Sequence, residues 1–200
     1  MGDSRSNDRS TGARARYGAL GVARSLGRLG VPVYLDLPDR AAAVMEAISE
    51  EIITLVPLIR EASGGTLNLA GVLPISEWVR RSYPTQIGDT SSLAACLRTN
   101  AAYRGIMAPM REVAPGEFAP GFRHRFLADD VPNRLAVVKA IAEIIDTPTA
   151  TIAEVIDWTQ QRLGQEYLVA GRLRGRDVPG LRIPQNPGIV SLAEIVQFYR

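Results

Sequence analysis

The sequence predicts a mainly α-helical domain with one strand. Apolar residues recur at three- and four-residue intervals through residues 39–59, 131–145 and 152–163, the spacing of a helix that buries one face. Only one short apolar run, Val31–Leu37 (VPVYLDL), is β-branched without that spacing, and it predicts a strand. Because the chain has no fixed-period repeat and no sustained heptad pattern, solenoids and coiled coils are excluded.

The long first helix has clear boundary signals. Asp39 is predicted as its N-cap and Gly64-Gly65 as its end, with a bend at Pro57. Shorter helices are predicted near residues 74–83, 89–97 and 192–198. Residues 105–124 are rich in Pro and Gly and predict a long ordered loop.

The chain divides into three predicted parts. Residues 1–16 are polar and are expected to form a disordered tail, since they cannot bury enough surface to offset their ordering entropy. Residues 17–38 predict a helix followed by a strand, and residues 39–200 predict the helical domain.

Composition narrows the function classes. One Cys and one His cannot build a metal site from those ligands alone, and a formal charge of +2 is too small to indicate nucleic-acid binding. No apolar run is long enough to span a membrane and no secretion signal is present, so we expect a cytoplasmic protein.

The C-terminal half carries several motifs in a fixed order. Taken together they resemble the α-helical domain of the NAD(P)-dependent octopine/nopaline (opine) dehydrogenase family. The motifs are YRGI at 103–106, AP at 108–109, RFLADDVP at 125–132, TPT at 147–149 with TI at 151–152, and LGQEYL at 163–168.

The resemblance implies a helical-bundle-like domain of the opine dehydrogenase and 6-phosphogluconate dehydrogenase C-terminal type. It also implies a second, nucleotide-binding domain that holds NAD or NADP. The reaction it implies is the reductive condensation of an amino acid with a 2-oxo acid, catalysed by a His that an Asp orients.

Two residues of the RFLADDVP motif are candidates for this chemistry. By resemblance, Asp130 is the catalytic acid that orients the His, and Arg125 binds a substrate carboxylate. Asp130 could equally be the N-cap of the helix that follows, and Arg125 could form an internal salt bridge to Asp129 or Asp130.

Three further residues complete the candidate set. Asn100 and Tyr103 could contact substrate or satisfy loop backbone groups, and Asp36 falls where a ribose-binding acid would follow a strand. His124 lies between two arginines and is expected to be a solvated loop residue, whereas Trp78 and Trp158 are expected in the core.

The sequence contains no G-x-G-x-x-G turn, so at most a remnant of a Rossmann β-α-β unit is expected at residues 17–38. The first hypothesis is therefore an opine dehydrogenase-like substrate domain completed by a Rossmann-domain partner. The alternative is a non-catalytic helical module for homodimerisation or binding, or a truncated gene product.

Overall fold

The computed structural model describes residues 31–199, which fall into two compact units. The described part of the smaller unit contains residue 31 and residues 108–121, and the larger unit contains residues 32–107 and 122–199. The helices are α1 (Asp39–Ala62), α2 (Ile75–Ser82), α3 (Leu93–Thr99), α4 (Arg125–Ala128), α5 (Ala136–Ile144), α6 (Ala150–Leu163) and α7 (Leu192–Phe198), with a π-helical turn at Val131–Leu135. The short strands are β1 (Met110–Ala114), β2 (Glu117–Pro120), β3 (Leu168–Val169) and β4 (Arg172–Leu173), and 3₁₀ turns lie at Ala101–Tyr103 and Val178–Gly180. The prediction of a mainly helical fold is confirmed.

The smaller unit contains an antiparallel hairpin, where the sequence predicted a loop. β1 pairs with β2, and a bulge lies between Glu112 and Ala114. Gly116 closes the turn at φ +74°, a conformation that favours glycine, and its N–H donates to Oε1 of Glu112 at 2.9 Å. Because the strands are short and carry little regular alternation, apolar periodicity alone did not detect them.

The larger unit packs its first half around α2, α3 and the start of α1. The buried members of this first core cluster are Leu37, Ala42, Val79, Leu93, Ala94, Cys96 and Leu97. Arg98 connects α3 to the start of α1. Its Nε donates to the carbonyl of Leu37 at 2.8 Å, and its Nη2 forms an ion pair with Asp39 at 2.8 Å. Cys96 is fully buried, as expected for a small hydrophobic residue.

This segment corrects two predictions. Val31–Leu37 is not a strand: Pro32 makes one isolated bridge to Met107, and residues 33–36 form a turn. Pro38, rather than Asp39, occupies the N-cap position of α1, and the Asp39 carboxylate pairs with Arg98 instead. The helix predicted at residues 17–29 lies outside the described residues.

A second core cluster forms where α5 and α6 pack with the C-terminal segments. Its buried members are Val131, Ala136, Ala140, Ile152, Ile156, Tyr167, Leu168, Leu181 and Ile183. Gln160 is buried among them with both ends of its amide bonded: Oε1 accepts from the backbone N–H groups of Tyr167 and Leu168 at 2.7 and 2.8 Å, and Nε2 donates to the carbonyl of Leu168 at 3.2 Å. The buried Lys139 pairs with Glu143 at 3.3 Å, and Glu143 also accepts from Leu173 N at 3.1 Å, which joins α5 to β4.

Glu51 connects α1 to α6. Its two carboxylate oxygens accept from the backbone N–H groups of Thr151 and Ile152 at 2.6 and 2.9 Å. These N–H groups belong to the first turn of α6, where no intrahelical acceptor exists. A negative charge also suits the positive end of the helix dipole, so one side chain from α1 caps a helix about a hundred residues away in sequence.

Candidate substrate-binding site

The RFLADDVP motif forms α4 and the π-helical turn that follows it. His124 takes the N-cap position of α4, and its Nδ1 is 3.5 Å from the N–H of Phe126. Pro132 lies at the start of the π turn, where its missing N–H costs no hydrogen bond. The motif therefore places Arg125 at the start of α4 and Asp130 immediately before the turn.

The two neighbouring aspartates have different partners. Asp129 Oδ1 accepts from Asn133 Nδ2 at 2.6 Å, whereas Asp130 Oδ1 is 3.1 Å from Nε of Arg134. The Asp130 side chain makes no capping hydrogen bond to the turn. Among residues 31–199, no hydrogen bond or ion pair engages its second oxygen, Oδ2.

Arg125 is exposed and has no ion pair with any residue in the described range 31–199. The internal salt bridge that the sequence left open is not formed within residues 31–199, where Asp130 pairs with Arg134 and Asp129 with Asn133. The guanidinium carbon instead lies 5.8 Å from the centroid of the Phe126 ring. Its planar fork of donors is thus available for a carboxylate.

An aromatic stack lies beside the motif. The Phe122 and Trp158 rings meet edge to face at a centroid distance of 5.6 Å, and the Arg162 guanidinium lies over Trp158 at 3.6 Å. Burial lowers the pKa of Arg162. Trp158 is partly buried, but the expectation that Trp78 lies in the core is wrong, since 47% of its surface is exposed.

Asn100 and Tyr103 lie against the first core cluster, apart from α4 and the π turn, which pack against the second. Asn100 is 1% exposed, and its Oδ1 accepts from Ala102 N at 3.0 Å. Tyr103 stacks on Tyr34 at 4.5 Å and meets the edge of Tyr83 at 5.1 Å. Burial, followed by hydrogen bonding with Tyr83, raises the pKa of Tyr103 far above its usual value. Asn100 thus matches the alternative in which it satisfies a loop backbone group, whereas Tyr103 is held by the rings of Tyr34 and Tyr83.

The described residues do not fit a dinucleotide. Asp36 is exposed in the turn at residues 33–36, and no strand in the described range precedes it to align a phosphate-binding turn. His124 is also exposed, and its ring packs on Phe126 at 4.5 Å, so it is not placed as the partner of Asp130. No group of three or more metal-ligating side chains lies together within residues 31–199.

A cavity of about 240 Å³ lies beside α6, and no residue of the RFLADDVP motif lines it. Its lining consists of Ala153, Glu154, Asp157, Leu168, Ala170 and Gly171. Asp157 is already bonded, since its two oxygens accept from the side-chain amides of Gln160 and Gln161 at 3.0 and 2.8 Å. None of the sequence-predicted site residues lines this cavity.

Comparison with known families identifies the chain. The model of the NAD/NADP octopine/nopaline dehydrogenase α-helical domain matches residues 33–163, about two thirds of the sequence. The chain belongs to the octopine/nopaline dehydrogenase family. The resemblance stated from its motifs is thereby confirmed, because the matched range includes the motifs from YRGI to TPT.

Relatives of known activity share this helical domain. The opine dehydrogenase of Haliotis discus hannai is 39% identical over 163 residues, which are 82% of this chain and 40% of that protein. A structure of octopine dehydrogenase with NADH and L-arginine superposes with a TM-score of 0.81 at 28% identity, covering 94% of this chain and 47% of the other. A structure of octopine dehydrogenase with NADH and pyruvate gives 0.75 at 27% identity, covering 94% of this chain and 46% of the other. This octopine dehydrogenase family chain therefore spans about two fifths of the length of its curated relatives.

Sequence reasoning missed Glu51, Gln160 and Arg134. The partners of Glu51 are about a hundred residues away, so no local pattern indicates its role. Gln160 gave no signal beyond being a polar residue on an apolar helix stripe. The i,i+4 spacing of Asp130 and Arg134 was a usable signal, since such residues are neighbours along a helix.

None of the described helices is long and apolar enough to cross a membrane.

Proposed function

We propose that this chain is the substrate-binding helical domain of an NAD(P)H-dependent opine dehydrogenase. The reaction joins the amine of an amino acid to the carbonyl of a 2-oxo acid with loss of water. Transfer of a hydride and a proton to the resulting imine then gives a secondary amine. NAD(P)H supplies the hydride, and the residues that bind it lie outside those described, in a nucleotide-binding domain of the same polypeptide or of a partner.

The observation that carries this proposal is the unpaired Arg125 guanidinium. An exposed arginine that forms no ion pair within residues 31–199 is available for a substrate carboxylate, which a guanidinium binds with two parallel hydrogen bonds. Both substrates of the proposed reaction carry such a group. The relatives support this chemistry, because octopine dehydrogenase has been solved with L-arginine and with pyruvate.

Asp130 is proposed to orient an imidazole from the nucleotide-binding side. A carboxylate oxygen that accepts the ring N–H selects the tautomer and stabilises the charged imidazolium that forms when the ring takes a proton. The Oδ2 atom, which no residue in the range 31–199 engages, is the oxygen suited to this role. The substrate roles of Asn100 and Tyr103 and the ribose-binding role of Asp36 stay predictions, and the contacts of Asn100 and Tyr103 favour structural roles.

The experiment mixes the full 200-residue chain with the separately expressed nucleotide-binding domain of the Haliotis discus hannai relative. Loss of NADH absorbance is followed with pyruvate and a panel of amino acids, after size-exclusion chromatography has established that a complex forms. Activity that requires both parts and both substrates supports the proposal. A stable complex that oxidises no NADH with any pair would overturn it.

Arg125→Gln provides the residue-level test. It should raise the KM for the 2-oxo acid or the amino acid by about tenfold or more, since a hydrogen-bonded charge pair with substrate contributes about 1.5–3 kcal/mol. Arg123→Gln is the matched control, an exposed arginine two residues earlier in the same segment. Equal effects of both substitutions would show that only the general positive charge matters.

A non-catalytic dimerisation module is the second candidate function. It is favoured by Phe198 and Tyr199 at the end of α7, whose side chains are 68% and 67% exposed and meet at a ring-centroid distance of 5.1 Å. Exposed aromatic pairs are typical of association surfaces. Light scattering of the wild type and of Phe198→Ser would distinguish this function, because a dimer that the substitution dissociates supports it.

A further inference from the structure

We propose that Arg134 is a positioning residue that holds the Asp130 carboxylate for catalysis. This inference rests on the proposed function, since it assigns a helper to the acid of the proposed site. The contact is specific: Nε of Arg134 lies 3.1 Å from Oδ1 of Asp130. A single Nε contact secures one oxygen and leaves Oδ2 for another donor.

The local backbone explains why these residues meet. Residues 131–135 form a π-helical turn, in which the N–H of Ala136 donates to the carbonyl of Val131. Asp130 and Arg134 are four residues apart in this helical stretch, and residues at that spacing are neighbours on one face. Single π-helical turns are found frequently at functional sites.

The other charged groups of the motif have different contacts. Asp129 Oδ1 accepts from Asn133 Nδ2 at 2.6 Å, and no ion pair joins Asp129 to Arg134 within residues 31–199. Arg125, at the start of the motif, makes no ion pair with residues 31–199 and lies over the Phe126 ring. The two arginines therefore have different roles, since Arg134 holds the acid and Arg125 remains available for substrate.

Half of the Asp130 side chain is exposed, which determines the size of the expected effect. The exposed fractions are 49% for Asp130 and 81% for Arg134. Ion pairs this exposed stabilise one geometry weakly, so loss of the pair should lower kcat by about two- to fivefold. An acid that is less often in position affects the chemical step, so the KM values should change little.

Three variants test the role in the complex of the full chain with the nucleotide-binding domain. Arg134→Gln should lower kcat by about two- to fivefold with unchanged KM values, and Arg134→Lys should restore most of it. Arg81→Gln is the matched control, because Arg81 forms an exposed i,i+4 ion pair with Glu77 in α2, outside the proposed site. A rise in KM rather than a fall in kcat would overturn positioning and show direct substrate binding, and loss of kcat in Arg81→Gln would show a general stability effect.

A second readout needs no activity. In ¹⁵N NMR spectra of the chain alone, the Nε–H signal of Arg134 should be shifted from that of an unpaired arginine, and Asp130→Ala, which removes the acceptor, should abolish the shift while leaving the Arg81 signal unchanged. If Asp130→Ala has no effect on that signal, the positioning role is wrong whatever the enzyme does. If the pairing is seen but the wild-type complex is inactive, the proposed function fails and the catalytic role of Arg134 fails with it.

Discussion

Replacing Glu51 by alanine should destabilise the chain by about 2–4 kcal/mol. The carboxylate accepts two hydrogen bonds, from Thr151 N at 2.6 Å and Ile152 N at 2.9 Å, and Ile152 is fully buried. Two hydrogen bonds to a charged group at about 1.5–3 kcal/mol net each would give about 3–6 kcal/mol, whereas loss of an N-cap as a whole costs about 0.5–2 kcal/mol. The expected value of about 2–4 kcal/mol lies between these two figures because Glu51 is only partly buried.

In the wild type no other described side chain shares this cap. Thr149 occupies the N-cap position of α6, but its hydroxyl makes no capping hydrogen bond and has no partner among residues 31–199. Loss of the carboxylate should leave at least one of the two N–H groups without a protein acceptor, since an N-cap hydroxyl accepts from the N–H of N2 or N3 and not from both. Glu51→Gln, which keeps one acceptor oxygen but no charge, should give an intermediate loss.

Urea unfolding followed by circular dichroism measures the effect, with the free energy of unfolding extrapolated to water. Glu50→Ala is the matched control, since Glu50 is the preceding residue of α1 and is exposed, and it should change stability by less than about 0.5 kcal/mol. If Glu51→Ala and Glu50→Ala destabilise the chain equally, the cap contributes nothing and the reasoning is refuted.

Two further predictions concern the C-terminal segments. Gly175→Ala should cost about 3 kcal/mol or more in a thermal or urea unfolding experiment, because a Cβ there would lie 2.0 Å from the carbonyl oxygen of Glu166. Gly180→Ala, whose Cβ would meet nothing within 4 Å, should be tolerated, and an equal loss in both would contradict the steric argument. Hydrogen bonds from Val190 N and then from Ser191 lower the pKa of Glu194 in the capping box of α7. Because the pKa of Glu194 is lower in the folded state than in the unfolded state, its ionised carboxylate stabilises the fold at any pH above the ordinary glutamate pKa. This stabilisation is lost as the pH falls through the lowered folded-state pKa. Amide exchange of α7 should thus increase at acidic pH in the wild type but not change with pH in Glu194→Gln, after correction for the intrinsic pH dependence of exchange; the same acid response in both would show that another group titrates.

The helices were largely predictable from the sequence because their signals are local. Each signal lies within one or two turns of chain. Examples are the apolar stripe of α1 that starts after Asp39, the Ser92 cap of α3 and the Gly164 residue that ends α6. The residues 192–198 were predicted as a helix with the bounds that the structure shows. The two wrong assignments, Val31–Leu37 and residues 105–124, are short segments in which a few β-branched or turn-forming residues are compatible with more than one structure.

The candidate site was predictable only in part. Sequence motifs selected Arg125 and Asp130 by resemblance. They left open whether Asp130 orients a His or caps the helix that follows, and whether Arg125 binds substrate or forms an internal salt bridge. The structure bears on that choice, since Asp130 makes no cap and Arg125 makes no ion pair within residues 31–199. Asn100 is only 1% exposed and its Oδ1 accepts from the N–H of Ala102, which favours a role in satisfying the loop backbone over contact with substrate.

By itself, the sequence determined the helical class, most helix positions and the family, because apolar periodicity, helix caps and motifs each depend only on residues close together in the chain. Tertiary structure alone decided which carboxylate caps α6, how Gln160 holds the segment that follows Gly164, and that Asp130 pairs with Arg134 rather than with Arg125. These contacts depend on the distances and angles between residues that packing brings together. A pairing between Glu51 and Thr151 has no signature within either segment, since each residue is ordinary in its own helix until the two helices meet.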